Sequence, residues 1–402
     1  MSQARATGTR VALLFRCVWR LTIALTLLTI SEPGTVRVST PEPSSAFEVR
    51  TETTIDFPGG IGFSVDLSAM SPDEGSPVEL HYTIAGNETD HLVFVPSAAR
   101  SGAAGLVIDL PVDLQSVFVP SGVTLEYHWE VALTAGELAT TKPEAVTWLD
   151  TRWNWETVRS AQVVLHSYDL SPDFARTILE SAQSTVTDLE DRYSLERSEP
   201  IVLWIYPSIE DYRGAQQPNS RESIAGASYP GLFLVAAVLS NGDTREVGRV
   251  IPHEISHQVL YQATRNPFTL PPLWFDEGLA THYQIGGTDG YLQMVTAAHR
   301  EDRLFDLDSL DTTFPFLSSQ ATLAYATSWS AIEYIQERYG DEGIERLIAA
   351  FATGDSFDSA MENALGMSMI EMNDTWRAWI EFHAKLSIHP VAATTRHLPL
   401  AA

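Results

Sequence analysis

His253-Glu254-Ile255-Ser256-His257 is the stretch from which the rest of the chain can be read. Two histidines at positions i and i+4 lie on one face of an α-helix, one turn apart. Imidazole nitrogens held that way can grip one zinc ion. A glutamate between them can then reach a water on the metal and take its proton. The pattern alone also fits an ordinary helix that happens to carry two histidines, so the flanking sequence decides. Pro252 immediately precedes His253. It sits either in the first turn of a short helix or inside a longer one, where Gly248 at i−4 leaves room for its ring. Both arrangements keep His253, Glu254 and His257 on one continuous helix.

Such a site needs a third protein ligand and an open fourth position. The stretch Leu273-Trp274-Phe275-Asp276-Glu277-Gly278-Leu279-Ala280 follows a Pro-containing loop, Asn266–Pro272, and opens a second helix, Leu273–Gln284. Two antiparallel helices joined by that loop would bring Glu277 beside the histidine pair. Asp276 sits about 100° round the helix from Glu277, so the two cannot both face one ion. The only cysteine, Cys17, lies near the N-terminus, which leaves His, Asp and Glu as the plausible metal ligands.

The whole chain sets the context. At 402 residues two or three domains are expected, and an apolar fraction of 44% is enough for sizeable cores. A formal charge of −27 argues against partners that are held through Lys and Arg, namely nucleic acid and anionic lipid surfaces. Residues 1–30 carry Arg5, Arg10, Arg16 and Arg20, no acid, and an apolar run from Leu21 to Ile30. That is the layout of an export signal. No Ala-x-Ala site follows it, so it reads as either a cleaved signal peptide or a retained N-terminal anchor. Residues 31–46, rich in Ser, Thr, Pro and Glu, read as a linker.

Residues 47–150 show short alternating runs between turn signals: Phe47–Phe57, Ile61–Leu67, Val78–Ile84, His91–Val95, Leu106–Leu110, Val123–Leu133 and Ala145–Leu149. About seven strands over a hundred residues suggest an immunoglobulin-like sandwich, with Trp129 as a candidate core residue. His81, His91 and His128 read as strand or surface residues, and Asn87-Glu88-Thr89 fits a glycosylation acceptor by pattern only. From residue 151 the pattern turns to α/β. Ala161–His166 and Pro200–Tyr206 are strands, with a helix capped by Ser171 between them. Ile224–Ala227 and Leu232–Val238 are strands near a sheet edge. From Ala321 the chain is helical, with a stop at Gly340, and 389–402 reads as a loose tail.

His-Glu-x-x-His, a Pro-rich loop, then Trp274-Phe275-Asp276-Glu277-Gly278-Leu279-Ala280 resembles the gluzincin zinc metallopeptidases. Within them the chain is most similar to the bacterial peptidase MA-like family. Ala324-Tyr325-Ala326, Glu337-Arg338-Tyr339-Gly340 and Ala364-Leu365-Gly366-Met367 agree, and the resemblance covers roughly Val158 to Trp379. It implies one zinc ion bound by His253, His257 and Glu277, Glu254 as general base, and a peptide or protein substrate. It also implies a tyrosine from a later helix as donor to the oxyanion, for which Tyr325 is the candidate. The strand-rich module resembles the immunoglobulin-like domain that often precedes such peptidases. The fold expected is therefore multidomain: an all-β immunoglobulin-like sandwich at 47–150, then an α+β zincin-type metallopeptidase domain at 151–388 that ends in a helical subdomain.

Two departures bear on specificity. Gluzincin aminopeptidases carry a glutamate on the strand before the pentapeptide, whereas Ala225-Gly226-Ala227-Ser228-Tyr229 has no acid there. Thermolysin-like enzymes place an acid four residues after the third ligand, where this chain has Thr281, so no partner for a ligand histidine is evident. His282 reads as an outer or substrate-side residue, and Asp306, Asp308 and Asp311 as a solvated loop or, less readily, a calcium site. Two other readings use the same residues: an inactive zinc scaffold that recognises partners through the sandwich, and a zinc hydrolase of non-peptide bonds.

Overall fold

The computed structural model describes residues 49–388 apart from 69–76, 85–89, 96–99, 102–106, 115–117, 133–137, 196–198, 217–224 and 316. The basic N-terminal segment, the linker, Asn87-Glu88-Thr89 and the tail 389–402 lie outside the described residues.

Strict alternation builds the N-terminal region. Its strands are β1 (Arg50–Asp56), β2 (Gly60–Asp66), β3 (Val78–Ile84), β4 (Asp90–Phe94), β5 (Arg100–Ser101), β6 (Val107–Asp113), β7 (Val123–Ala132), β8 (Leu138–Thr140) and β9 (Glu144–Trp148). They form two antiparallel sheets, one ordered β1-β2-β6-β5, the other β4-β3-β7-β8 with β9 also on β7. In β7, Val123, Leu125, Tyr127, Trp129 and Val131 are buried, while Thr124, Glu126, His128 and Glu130 face outward. The period of two leaves one face for the core and one for water. The inward residues of both sheets, including Phe63, Leu80, Leu110 and Trp129, meet in one core. Strands β5 and β8 were not expected, because two or three residues are too few for alternation to register.

A third sheet follows. β10 (Glu156–Arg159) lies antiparallel on β11 (Val163–Ser167), and α1 (Pro172–Tyr193) leads to β12 (Ile201–Tyr206). After α2 (Ile209–Arg213) come β13 (Gly226–Tyr229) and β14 (Leu234–Val238), giving the order β10-β11-β12-β14-β13. The three inner strands are parallel and the two edges antiparallel. Ser171 caps α1 by accepting the Phe174 N–H, with Pro172 in the first turn. Phe174, Ile178, Ala182 and Val186 pack α1 onto one face of this sheet.

The other face of this sheet meets the sandwich. The Asp150 carboxylate is fully buried and accepts from Arg152 Nε at 2.8 Å and Nη2 at 2.6 Å. The Tyr206 hydroxyl donates to it at 3.3 Å. The Trp155 ring stands edge-on to Trp204 and Tyr206, at centroid distances of 4.8 and 5.2 Å. A buried charge met by a two-pronged guanidinium is tolerated in such a place, whereas an unpaired one is not. The sandwich core and this sheet therefore share one continuous aromatic cluster.

Six α-helices follow among the described residues: α3 (Thr244–Thr264), α4 (Leu273–Tyr283), α5 (Tyr291–Arg300), α6 (Ser318–Ala352), α7 (Phe357–Leu365) and α8 (Met369–Ile388). α6 breaks at Gly340, whose φ of 68° and ψ of −174° are not helical. Trp274, Phe275, Phe351, Met361 and Trp376 lie in the helical core. Burying one side chain of that size contributes about 1.5–3 kcal/mol. The molecule is thus sheet-rich at its N-terminal end and helical at its C-terminal end. Among the described residues no helix is long and apolar enough to cross a membrane.

Candidate metal centre

α3 runs unbroken through Pro252, so the longer-helix arrangement holds. Proline has no N–H to give to the carbonyl four residues back, and that carbonyl would be left unmet. Here the Gly248 carbonyl accepts the Ile285 N–H at 2.8 Å instead. The break in the helix ladder therefore becomes a tie between α3 and the end of α4. Further along α3, Gln258 Nε2 donates to Ser228 Oγ and to the Leu234 carbonyl, at 2.8 and 2.9 Å, which fixes the helix against β13 and β14.

Held this way, His253 and His257 turn their Nε2 atoms towards Glu277 on α4. The separations from Glu277 Oε2 are 3.4 and 3.6 Å. The three ligand atoms lie within 4.8 Å of one another. Donors ~2.1 Å from one tetrahedral ion stand about 3.4 Å apart, so this set of two imidazole nitrogens and a carboxylate oxygen fits zinc. Gly278, next to Glu277, explains how α4 comes so close. A Cβ there would lie 2.6 Å from the Ser328 carbonyl oxygen of α6.

Asp276 has a role that the sequence reading did not give it. Its Oδ1 is 2.6 Å from His257 Nδ1. The rotation of about 100° that keeps it off the ion puts it at the far nitrogen of the ring. There it fixes the ring's orientation and leaves Nε2 for a metal. Burial pulls the His257 pKa down, but the Asp276 carboxylate, with Glu277 and Glu254, outweighs it and pushes the value up to about 10. His253 has no such partner: its Nδ1 is buried without a hydrogen bond among the described residues.

Glu254 is buried, 7% exposed, beside this group. Burial pushes its carboxyl above the usual range; the His253 and His257 rings pull it back and Glu277 adds to the rise. Its carboxylate lies against the backbone of β13, where a Cβ on Gly226 would come within 2.5 Å of Oε1. The strand that lacks an aminopeptidase acid therefore has a glycine whose missing side chain makes room for Glu254. β13 is an edge of its sheet. A cavity of about 190 Å³ opens here, lined by Gly226, Arg249, His253, Glu254, Tyr291 and Tyr325 among others. The Tyr325 ring, on α6, is 6.3 Å from that of His253.

A family model described as the Peptidase MA superfamily matches residues 181–382, half of the chain, and spans all of these residues. The chain belongs to the Peptidase MA superfamily. No curated protein matches it. Among solved structures it is similar to an M1 zinc metallopeptidase from Deinococcus radiodurans at 13% identity and a TM-score of 0.35, covering 80% of this chain and 88% of that one. A two-domain M1 zinc metallopeptidase bound to L-arginine gives the same identity and TM-score, covering 75% of this chain and 61% of that one. A polysaccharide deacetylase from Bacillus cereus gives 10% and 0.22, covering 42% of this chain and 55% of that one. At such distances the roles of this superfamily member's residues have to come from its own geometry.

The remaining sequence candidates lie elsewhere. His282 Nδ1 is 2.7 Å from Glu333 Oε1 and ties α4 to α6. Asp306, Asp308 and Asp311 do not converge on one point. Asp306 pairs with Arg377 at 2.6 Å, Asp308 accepts from Asn373, and the Asp311 backbone carbonyl accepts the Leu273 N–H at 2.7 Å. They anchor the loop before α6 onto α8 and the start of α4.

Proposed function

We propose that this protein is an exported zinc-dependent metallopeptidase of the gluzincin type. One zinc ion would be held by His253, His257 and Glu277. The observation that carries the reading is the convergence of both imidazole Nε2 atoms on Glu277 Oε2, with the buried Glu254 carboxylate in the same cavity. Zinc in such a site acts as a Lewis acid and lowers the pKa of water towards neutrality.

The chain's own residues do the rest. Glu254, its basicity raised by burial, takes a proton from the attacking water and passes it to the leaving amine nitrogen. Tyr325 donates its O–H to the carbonyl oxygen as negative charge builds there. Asp276 holds the His257 ring through Nδ1. β13, an edge strand among the described residues, offers backbone groups to an extended peptide, and the cavity wall gives a side chain room beside Arg249 and Tyr291. With no acid on β13 to meet a free amino terminus, the reading favours cleavage within a chain. The N-terminal two-sheet region reads as an immunoglobulin-like accessory domain, and the basic, apolar segment 1–30 supports export.

The test is hydrolysis of casein by the purified chain. Activity should vanish with a chelator and return on addition of about one equivalent of Zn2+ to the cleft. Hydrolysis that persists in protein shown to be free of metal would contradict the reading.

A further inference from the structure

The outer face of the sandwich carries a second convergence of imidazole and carboxylate. Glu79-Leu80-His81 on β3 and His128-Trp129-Glu130 on β7 run antiparallel, with His81 opposite His128 and Glu79 opposite Glu130. Leu80 and Trp129, between them, are fully buried. Alternation therefore turns all four polar side chains to the same outward face, in a square. His81, His128 and Glu130 place ligand atoms within 4.8 Å of one another. His81 Nε2 is 3.5 Å from both Glu79 Oε2 and Glu130 Oε2, and His128 Nε2 is 3.6 Å from Glu130 Oε1.

Two short histidine–carboxylate contacts in this molecule set the scale for these distances. His257–Asp276 and His282–Glu333, at 2.6 and 2.7 Å, are direct hydrogen bonds. The sandwich pairs stand at 3.5–3.6 Å, like the 3.4 and 3.6 Å pairs of the cleft. That is the spacing of ligands around a shared ion. Two carboxylates directly opposite across strands also repel each other, a cost that a cation between them removes. The imidazole rings are stacked with centroids 4.9 Å apart. Rotation about their Cβ–Cγ bonds is soft for histidine, so both rings can turn a nitrogen towards a shared ion.

We propose that Glu79, His81, His128 and Glu130 form a second divalent-metal site, independent of the cleft and joining β3 to β7. Two imidazoles with carboxylates and no thiolate select a borderline transition ion, zinc among them, over calcium or magnesium. Because the four ligands come together only in the folded sheet, the ion stabilises the sandwich.

The test counts metal in full-length protein stripped with chelator, re-equilibrated with Zn2+ and freed of excess. In a His253→Ala variant, which silences the cleft, one zinc per chain should remain, and His128→Gln in that background should remove it. The same ion should raise the thermal midpoint of the His253→Ala protein, and the rise should disappear with His128→Gln, or with Glu130→Gln as an independent variant that spares both rings. A His253→Ala protein that binds no zinc, or that keeps its zinc after His128→Gln, overturns the proposal. Failure of the cleft reading looks different: wild type would then hold one zinc, removed by His128→Gln and unaffected by His253→Ala.

Discussion

Two groups of two histidines and a glutamate occur among the described residues, and they are built by different secondary structures. His253, His257 and Glu277 stand on two helices, with the pair one turn apart and the glutamate brought in by a short loop. His81, His128 and Glu130 stand on two strands that meet far apart in sequence. The first group stands at a cavity, its side chains 9–17% exposed, with Glu254 beside it and Asp276 behind His257. The second lies on the outward face of a sheet, its side chains 14–30% exposed. Similar ligand atoms at similar spacings thus have different chemical prospects. A group that only grips an ion is a clip; one that also has a buried carboxylate, a tyrosine and an edge strand nearby holds the parts that the proposed hydrolysis would use.

Three predictions press on that difference. The largest effect is expected from Gly226→Ala. The added carbon would come within 2.5 Å of Glu254 Oε1, so the base or the strand has to move. A displacement of ~1 Å at a catalytic group costs about a hundredfold in kcat/KM. Zinc content of both groups should stay unchanged, so kinetics and metal analysis on one preparation check it. Full activity would show that the close approach of β13 to Glu254 is incidental.

Asp276→Asn comes next. Removing a partner that orients a ligand histidine typically lowers metal affinity about 10–100-fold. Competition with a chromophoric chelator should show that loss at the cleft alone, with the sandwich group unmoved. An unchanged affinity would reduce the 2.6 Å contact with His257 to a structural tie.

The smallest effect is a proton count. In metal-free protein the His257 pKa is raised to about 10, so at neutral pH the ring is charged. A ligand imidazole must be neutral, so zinc entering the cleft should release about one proton, and affinity should fall as pH is lowered below that value. Calorimetry in buffers of different ionisation enthalpy measures the release, and a count near zero would contradict the charged ring.

The helical group was legible in the sequence because its geometry is local. A spacing of four is a turn of helix, and the motif around Glu277 follows within one loop. Asp276 was missed for a physical reason: the 100° that excludes it from the ion is what carries it to the other nitrogen of His257. Gly226 was read for the acid it lacks rather than for the space it leaves. The sandwich group was out of reach, since it depends on the register of β3 against β7, which alternation alone does not give. Strand β10 also escaped, because its four residues are all exposed and show no alternation, as did the helix α5.

The central claim is that the helical group works with Glu254 as its base. Zinc content and peptide hydrolysis, measured on the same Glu254→Gln preparation, test it most directly. The account predicts zinc retained at the wild-type level and hydrolysis reduced by about a hundredfold to ten-thousandfold, the usual contribution of a general base. Hydrolysis near the wild-type rate by that protein would contradict it.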